Sequence, residues 1–165
     1  MGFAARLVRV ERHDDGLNAW CTHRIAPPAP LAEAVDGYSF YEERTGGFCV
    51  RRELPTAEGA LLINLGAPVR VVGGDGMALD LAAGEGFVAG AHLRPALSSS
   101  GGAQMGVHVH VPLLGVRRLL GVPLGALGDR VVPLAAVAAV SAGGGFAVGG
   151  QWMRVGWGSG GGRLF

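Results

Sequence analysis

The residues best suited to chemistry are two histidines, His108 and His110, in the run GVHVHV at residues 106–111. Two apart on an extended chain, their side chains leave one face, while Val107, Val109 and Val111 take the other. Neutral imidazoles presented in that way can hold one transition metal, line a metal-free pocket, or stand at solvent or a subunit contact. A metal requires a further ligand. His92, Glu53 and Glu85 are available, and His92, closing the run GFVAGAH, is the best placed of the three. Such a set favours Zn, Fe, Ni or Cu over Mg or Ca. No serine or cysteine is paired with a base in a pattern that would support covalent hydrolysis.

The elements that must position these groups can be read from periodicity. After Pro112 the period changes: Leu113, Val116 and Leu120 fall at i, i+3 and i+7, with Arg117 and Arg118 opposite. That spacing predicts a short amphipathic helix ended by Gly121 and Pro123. Leu124, Leu127 and Val131 repeat it and predict a second. Leu31, Ala34, Val35 and Tyr38 predict another short helix, and residues 12–18 a polar loop. Strands are expected over 48–54, 60–65, 69–72, 77–82 and 87–91, with Arg51 and Glu53 on the outer side of the first and a turn tip at 98–102. GGDG at 73–76 is a hairpin turn; no G-K-[ST] follows, so it is not a phosphate loop. Short strands with turns about every ten residues predict an all-β barrel or sandwich, the barrel being favoured.

Two further features bear on a pocket. Tyr38, Phe40 and Tyr41 crowd bulky rings together, which suits core packing or, for the tyrosines, a ligand wall. Asn64 interrupts the apolar run ALLINL. A buried amide must satisfy its hydrogen bonds, so Asn64 either ties down a neighbouring turn or faces a polar ligand.

Composition narrows the partners. The chain has 165 residues, enough for one domain, and its 14 basic and 13 acidic residues leave a net charge of +1. Nothing in that balance attracts nucleic acid or an anionic membrane. Hydrophobic residues are 49% and charged ones 16%. So thin a polar surface predicts that some apolar area is covered by a second subunit, as in a homodimer. Cys21 and Cys49 fit no metal or redox spacing, and no signal-peptide pattern opens the chain, so a cytoplasmic setting is expected. Residues 131–153 carry no charge, but their glycines argue against a membrane span. Residues 1–134 read as the barrel with its helices, and 135–165 as an Ala/Gly-rich, poorly ordered tail.

Three phrases in order, RRELPTAEGALLINLGAPVRV at 51–71, GFVAGAH at 86–92 and VPLLGVRRLLGVPLGALGDRVVPL at 111–134, resemble the cupin-like N-terminal sensory domain of AraC-type transcriptional regulators. The resemblance runs from about Trp20 to about Leu134. It implies a double-stranded β-helix barrel that holds a small-molecule effector or serves for dimerisation, with helices beside it that can form the dimer seam. The expected ligand-contacting residues are Tyr38, Tyr41, Asn64, His108 and His110. In that family two helix-turn-helix units follow the barrel; after Leu134 no pair of capped amphipathic helices appears, so DNA binding by this chain alone is not expected. The spacing G-x5-H-x-H from Gly102 also looks like the opening of the metal-binding motif of enzymatic cupins, without the glutamate that should follow. The alternative it implies is a small metal-dependent enzyme acting on a polar organic substrate, with His108, His110 and His92 on the ion and Glu53 or Tyr41 moving protons. A third reading is a dimerisation or inhibitory partner of full-length regulators.

Overall fold

The computed structural model describes residues 6–137 and the backbone of 138–140, 146–148 and 151–153. An N-terminal hairpin, β1 (Arg6–Asp14) and β2 (Ala19–Ala26), precedes eight strands: β3 (Gly37–Arg44), β4 (Cys49–Glu53), β5 (Gly59–Asn64), β6 (Val69–Val72), β7 (Ala78–Leu81), β8 (Gly86–Ala89), β9 (Ala96–Ser100) and β10 (Ala103–Val111). Then come α1 (Leu113–Leu120), β11 (Val131–Pro133), α2 (Leu134–Val140) and a small hairpin, β12 (Phe146–Val148) with β13 (Gln151–Met153).

One sheet has the order β1-β2-β3-β10-β5-β8-β11 and faces a second, β4-β9-β6-β7. Within β3 to β10 the first strand therefore lies beside the last, and the second beside the seventh. This is the double Greek-key order of a jelly roll. The chain is an all-β, cupin-like barrel.

Alternation sorts the two faces of the large sheet. Val109, Val111, Leu61 and Val88 pack beneath α1 with Val116 and Leu120, joined by Leu127 and Val137. The opposite face turns into the barrel, where Val69, Val71, Leu81, Phe87 and Ala89 form a second cluster. His108 stands opposite Ser39 on β3 and Leu62 on β5, and His110 opposite Gly37 and Ala60. The valines of GVHVHV thus enter the helix-covered core, and the histidines enter the barrel. α1 runs over the residues its periodicity indicates, and ends where Gly121 adopts φ 66° and donates its N–H to the Arg117 carbonyl.

Several elements differ from expectation. The second helix is a 3-10 turn at Leu124–Leu127, and Val131 opens β11, which pairs with β8. Gly125 and Gly128 weaken a longer helix there, and backbone pairing takes Val131. The helix expected from Leu31 to Tyr38 is a 3-10 turn, Ala29–Leu31, because the chain must extend from Gly37 to pair with β10. Of the polar loop expected over residues 12–18, Arg12, His13 and Asp14 belong to β1 and pair with β2, and only 15–18 form the hairpin turn. Ser98 to Ser100 belong to β9, and the turn falls at the glycines after them. α2 starts at Leu134 and runs on into the stretch read as a tail, and Val137 is buried in the main core. The remainder of that stretch, β12 and β13 apart, lies outside the described residues. Cys21 and Cys49 are free thiols. No helix among the described residues is long and apolar enough to cross a membrane.

Candidate functional site

Between the sheets lies a cavity of about 660 Å³. Its floor is apolar, built by Leu62, Val69, Val71 and Phe87, the inward residues of β5, β6 and β8. One wall is polar. There β3 contributes Ser39 and Tyr41, and β10 contributes His108 and Gln104.

His110 sits just behind His108, with ring centres 4.3 Å apart, and its Nε2 lies 2.7 Å from the Ser39 hydroxyl. Burial pushes the His108 imidazole below its ordinary range, with help from the nearby Arg24 guanidinium. Burial, then His108 and Arg24, push His110 down to about 4. Both rings are therefore neutral at physiological pH, each offering one N–H and one lone pair. The Tyr41 phenol crosses β10 at Gly106, where a Cβ would come within 2.8 Å of its hydroxyl oxygen. Burial raises its pKa, so it stays protonated and can both donate and accept.

At the mouth, Glu43 and Arg51 form an ion pair, and Glu53 accepts a 2.8 Å hydrogen bond from Ser98. Arg51 and Glu53 thus face inward, not outward as alternation suggested. Alternation sets them on one face without saying which; β4 is an edge strand at the open mouth, where inward charges still meet solvent, and Val50 takes the outside.

His92 borders the cavity elsewhere. Its backbone N–H donates to Thr56, while the next two backbone N–H groups, of Leu93 and Arg94, donate to Asp129 Oδ1 at 2.7 and 3.0 Å. Those two donors hold the Asp129 carboxyl below the usual carboxylate range. The His92 Nδ1 donates to the Gly90 carbonyl at 2.8 Å, and its buried Nε2 has no hydrogen-bond partner among the described residues. Among the described residues no three His, Cys, Asp or Glu side chains gather as a metal site. His92 is thus not brought to the His108–His110 pair, and Glu85 accepts from the Ala82 backbone N–H in its own turn.

Two of the five residues expected to contact a ligand, Tyr41 and His108, lie on the cavity wall, with His110 behind them. Tyr38 takes the opposite face of β3 and packs against the main core beside Val109. Asn64 is buried beside a turn, donating from Nδ2 to Ala67 and Leu81 and accepting from the Gly66 N–H at Oδ1. It ties down the β5–β6 connection. Ser39, Glu43, Arg51 and Gln104 were not singled out beforehand as ligand contacts. Ser39 meets His110 across 71 residues of chain, and no local pattern reports such a pairing.

No family model matches the chain, and no curated protein matches it. Among solved structures, a predicted oxalate decarboxylase from Thermotoga maritima is 11% identical, with a TM-score of 0.46 over 67% of this chain and 99% of that one. The EutQ protein of Clostridium difficile is 12% identical, with a TM-score of 0.41 over 64% of this chain and 82% of its own. An oxalate decarboxylase of Bacillus subtilis is 10% identical, with a TM-score of 0.43 over 69% of this chain and 31% of its own.

The arrangement suits binding by one polar end. An apolar floor takes the body of a small organic molecule, and the neutral imidazole, phenol and hydroxyl on one wall orient its polar groups. Glu43 and Arg51 neutralise each other at the rim, so neither is left as an unpaired charge.

Proposed function

We propose that the barrel binds one small organic effector in this cavity, as the resemblance to the sensory domain of AraC-type regulators implies. The observation that carries the reading is a cavity of about 660 Å³ with an apolar floor, a polar wall on β3 and β10, and charged side chains at its mouth. Small-molecule sites span about 300–1,000 Å³ and combine these two features. His108, Tyr41 and Ser39 are the groups that would read the effector, and Leu62, Val71 and Phe87 would exclude water around it. Holding His108 neutral leaves a lone pair to accept from a ligand hydroxyl or amine group.

The test is a thermal-shift screen of small metabolites against the full chain and an Ala60→Phe variant. Ala60 lines the cavity opposite His110, so an aromatic ring there fills it from within. A true effector at a hundredfold excess over its Kd raises the wild-type Tm by about 5–10 °C. The same compound leaves the folded variant unmoved. If every stabilising compound acts equally on both proteins, the cavity is not the binding site.

A further inference from the structure

Among the described residues the large sheet stops at β1, which pairs there with β2 alone, and all nine of its residues are exposed. Such an edge carries unpaired backbone N–H and C=O groups that can accept another strand.

Two rungs, apolar but for His23, run from the main core out to this edge. Leu61, Val109, Tyr38, Ile25 and Leu7 stand in one line across five strands; Ile63, Val107, Phe40, His23 and Val10 stand in the next. At the inner end Leu61 and Val109 are buried, whereas Leu7 is 56% and Val10 39% exposed. The core stripe therefore continues to the free edge, uncovered among the described residues. A second copy of β1, turned around about Val10, sets its own valine against the outer end of the second rung.

Charge selects the register. In an antiparallel pair directly opposed residues share a face, so a two-fold axis relating two copies of β1 must pass through a residue. An axis through Arg9, Glu11 or Arg12 sets that residue against its own like charge. An axis through Val10 sets valine against valine, Arg9 against the partner's Glu11, and Glu11 against the partner's Arg9. Within one chain Arg9 and Glu11 already share a face, 2.6 Å apart. The register irregularity between Leu7 and Arg9 lies outside this central triplet. An edge protected against self-pairing carries charges that would repel a copy; here opposite signs flank Val10 symmetrically.

We propose that the chain forms a two-fold dimer by antiparallel β1–β1 pairing centred on Val10, joining the two seven-stranded sheets into one. This places the contact at the N-terminal hairpin, away from α1, and it does not depend on effector binding.

Sedimentation velocity on the full chain tests it with three proteins whose changes all fall at exposed positions. Wild type sediments at twice the chain mass. Glu11→Arg sets like charges against each other on both sides of the axis and weakens the dimer by about tenfold or more. The exchange Arg9→Glu with Glu11→Arg keeps the complementarity and restores the dimer. Three results would each overturn the proposal: a monomeric wild type at the highest soluble concentration, a Glu11→Arg dimer of unchanged affinity, or a Glu11→Arg monomer that the exchange does not rescue. Circular dichroism confirms that each variant is folded, so that loss of the dimer is not loss of the barrel.

Discussion

Acid should loosen this barrel through His110. The ring lies among Ala60, Gly37 and His108 on the inner face, and its pKa falls from 6.5 to about 4. Because the folded value is the lower one, the unfolded chain takes up the proton first. Stability from this source is complete above about pH 6.5 and is lost as the pH falls towards 4. At face value the interval from 6.5 to about 4 corresponds to about 3.4 kcal/mol. The ring is only half-buried, and solvent screening reduces the effect to about 1.5–2 kcal/mol. His110→Gln keeps a group able to hydrogen-bond Ser39 but removes the titration. Urea unfolding at neutral pH and at about pH 4.5 measures the difference, and wild type should lose about 1.5–2 kcal/mol more than the variant over that range. Equal losses in the two proteins would refute the reasoning, since the acid sensitivity would then come from other groups.

Other substitutions separate the wall of the cavity from its supports. Tyr41→Phe should weaken effector binding measured by calorimetry by about 1 kcal/mol, the worth of a hydrogen bond, while Tyr38→Phe, on the opposite face, leaves it unchanged. Asn64→Ala should lower unfolding free energy by about 2–4 kcal/mol, since it strands two carbonyls and one N–H at the β5–β6 turn, without altering the affinity of the folded protein. Leu120 is 3% exposed in the main core, so Leu120→Asp should cost about 3–5 kcal/mol and appear in denaturation as a loss of fold, not as a folded monomer.

Alternation in GVHVHV separated valines from histidines onto opposite faces, and the i, i+3, i+7 spacing marked α1 from Leu113 to Leu120; the structure agrees with both. What periodicity lacks is sign and partner. Arg51 and Glu53 share a face by alternation, but only the pairing of β4 with β9 turns that face inward. Ser39 joins His110 because β3 and β10 are neighbours in the sheet, a long-range pairing with no local trace. The N-terminal hairpin was hidden for a different reason. Both faces of β1 are exposed, so burial imposes no regular alternation on Arg6 to Asp14. Asn64 illustrates the converse: its place in an apolar run showed that a buried amide needed partners but not which, and three hydrogen bonds give it to the turn and not to a ligand.

The most direct test of a ligand-binding barrel uses the five histidines as reporters. His92, His108 and His110 belong to the barrel interior, whereas His23 lies on the outer face beside Phe40 and Cys21. Imidazole resonances of labelled full chain, followed by NMR during titration with the best compound from the thermal-shift screen, report where it binds. The account predicts saturable shifts at His108 and His110 and an unmoved His23. Shifts confined to His23, or none at His108 on saturation, would contradict it.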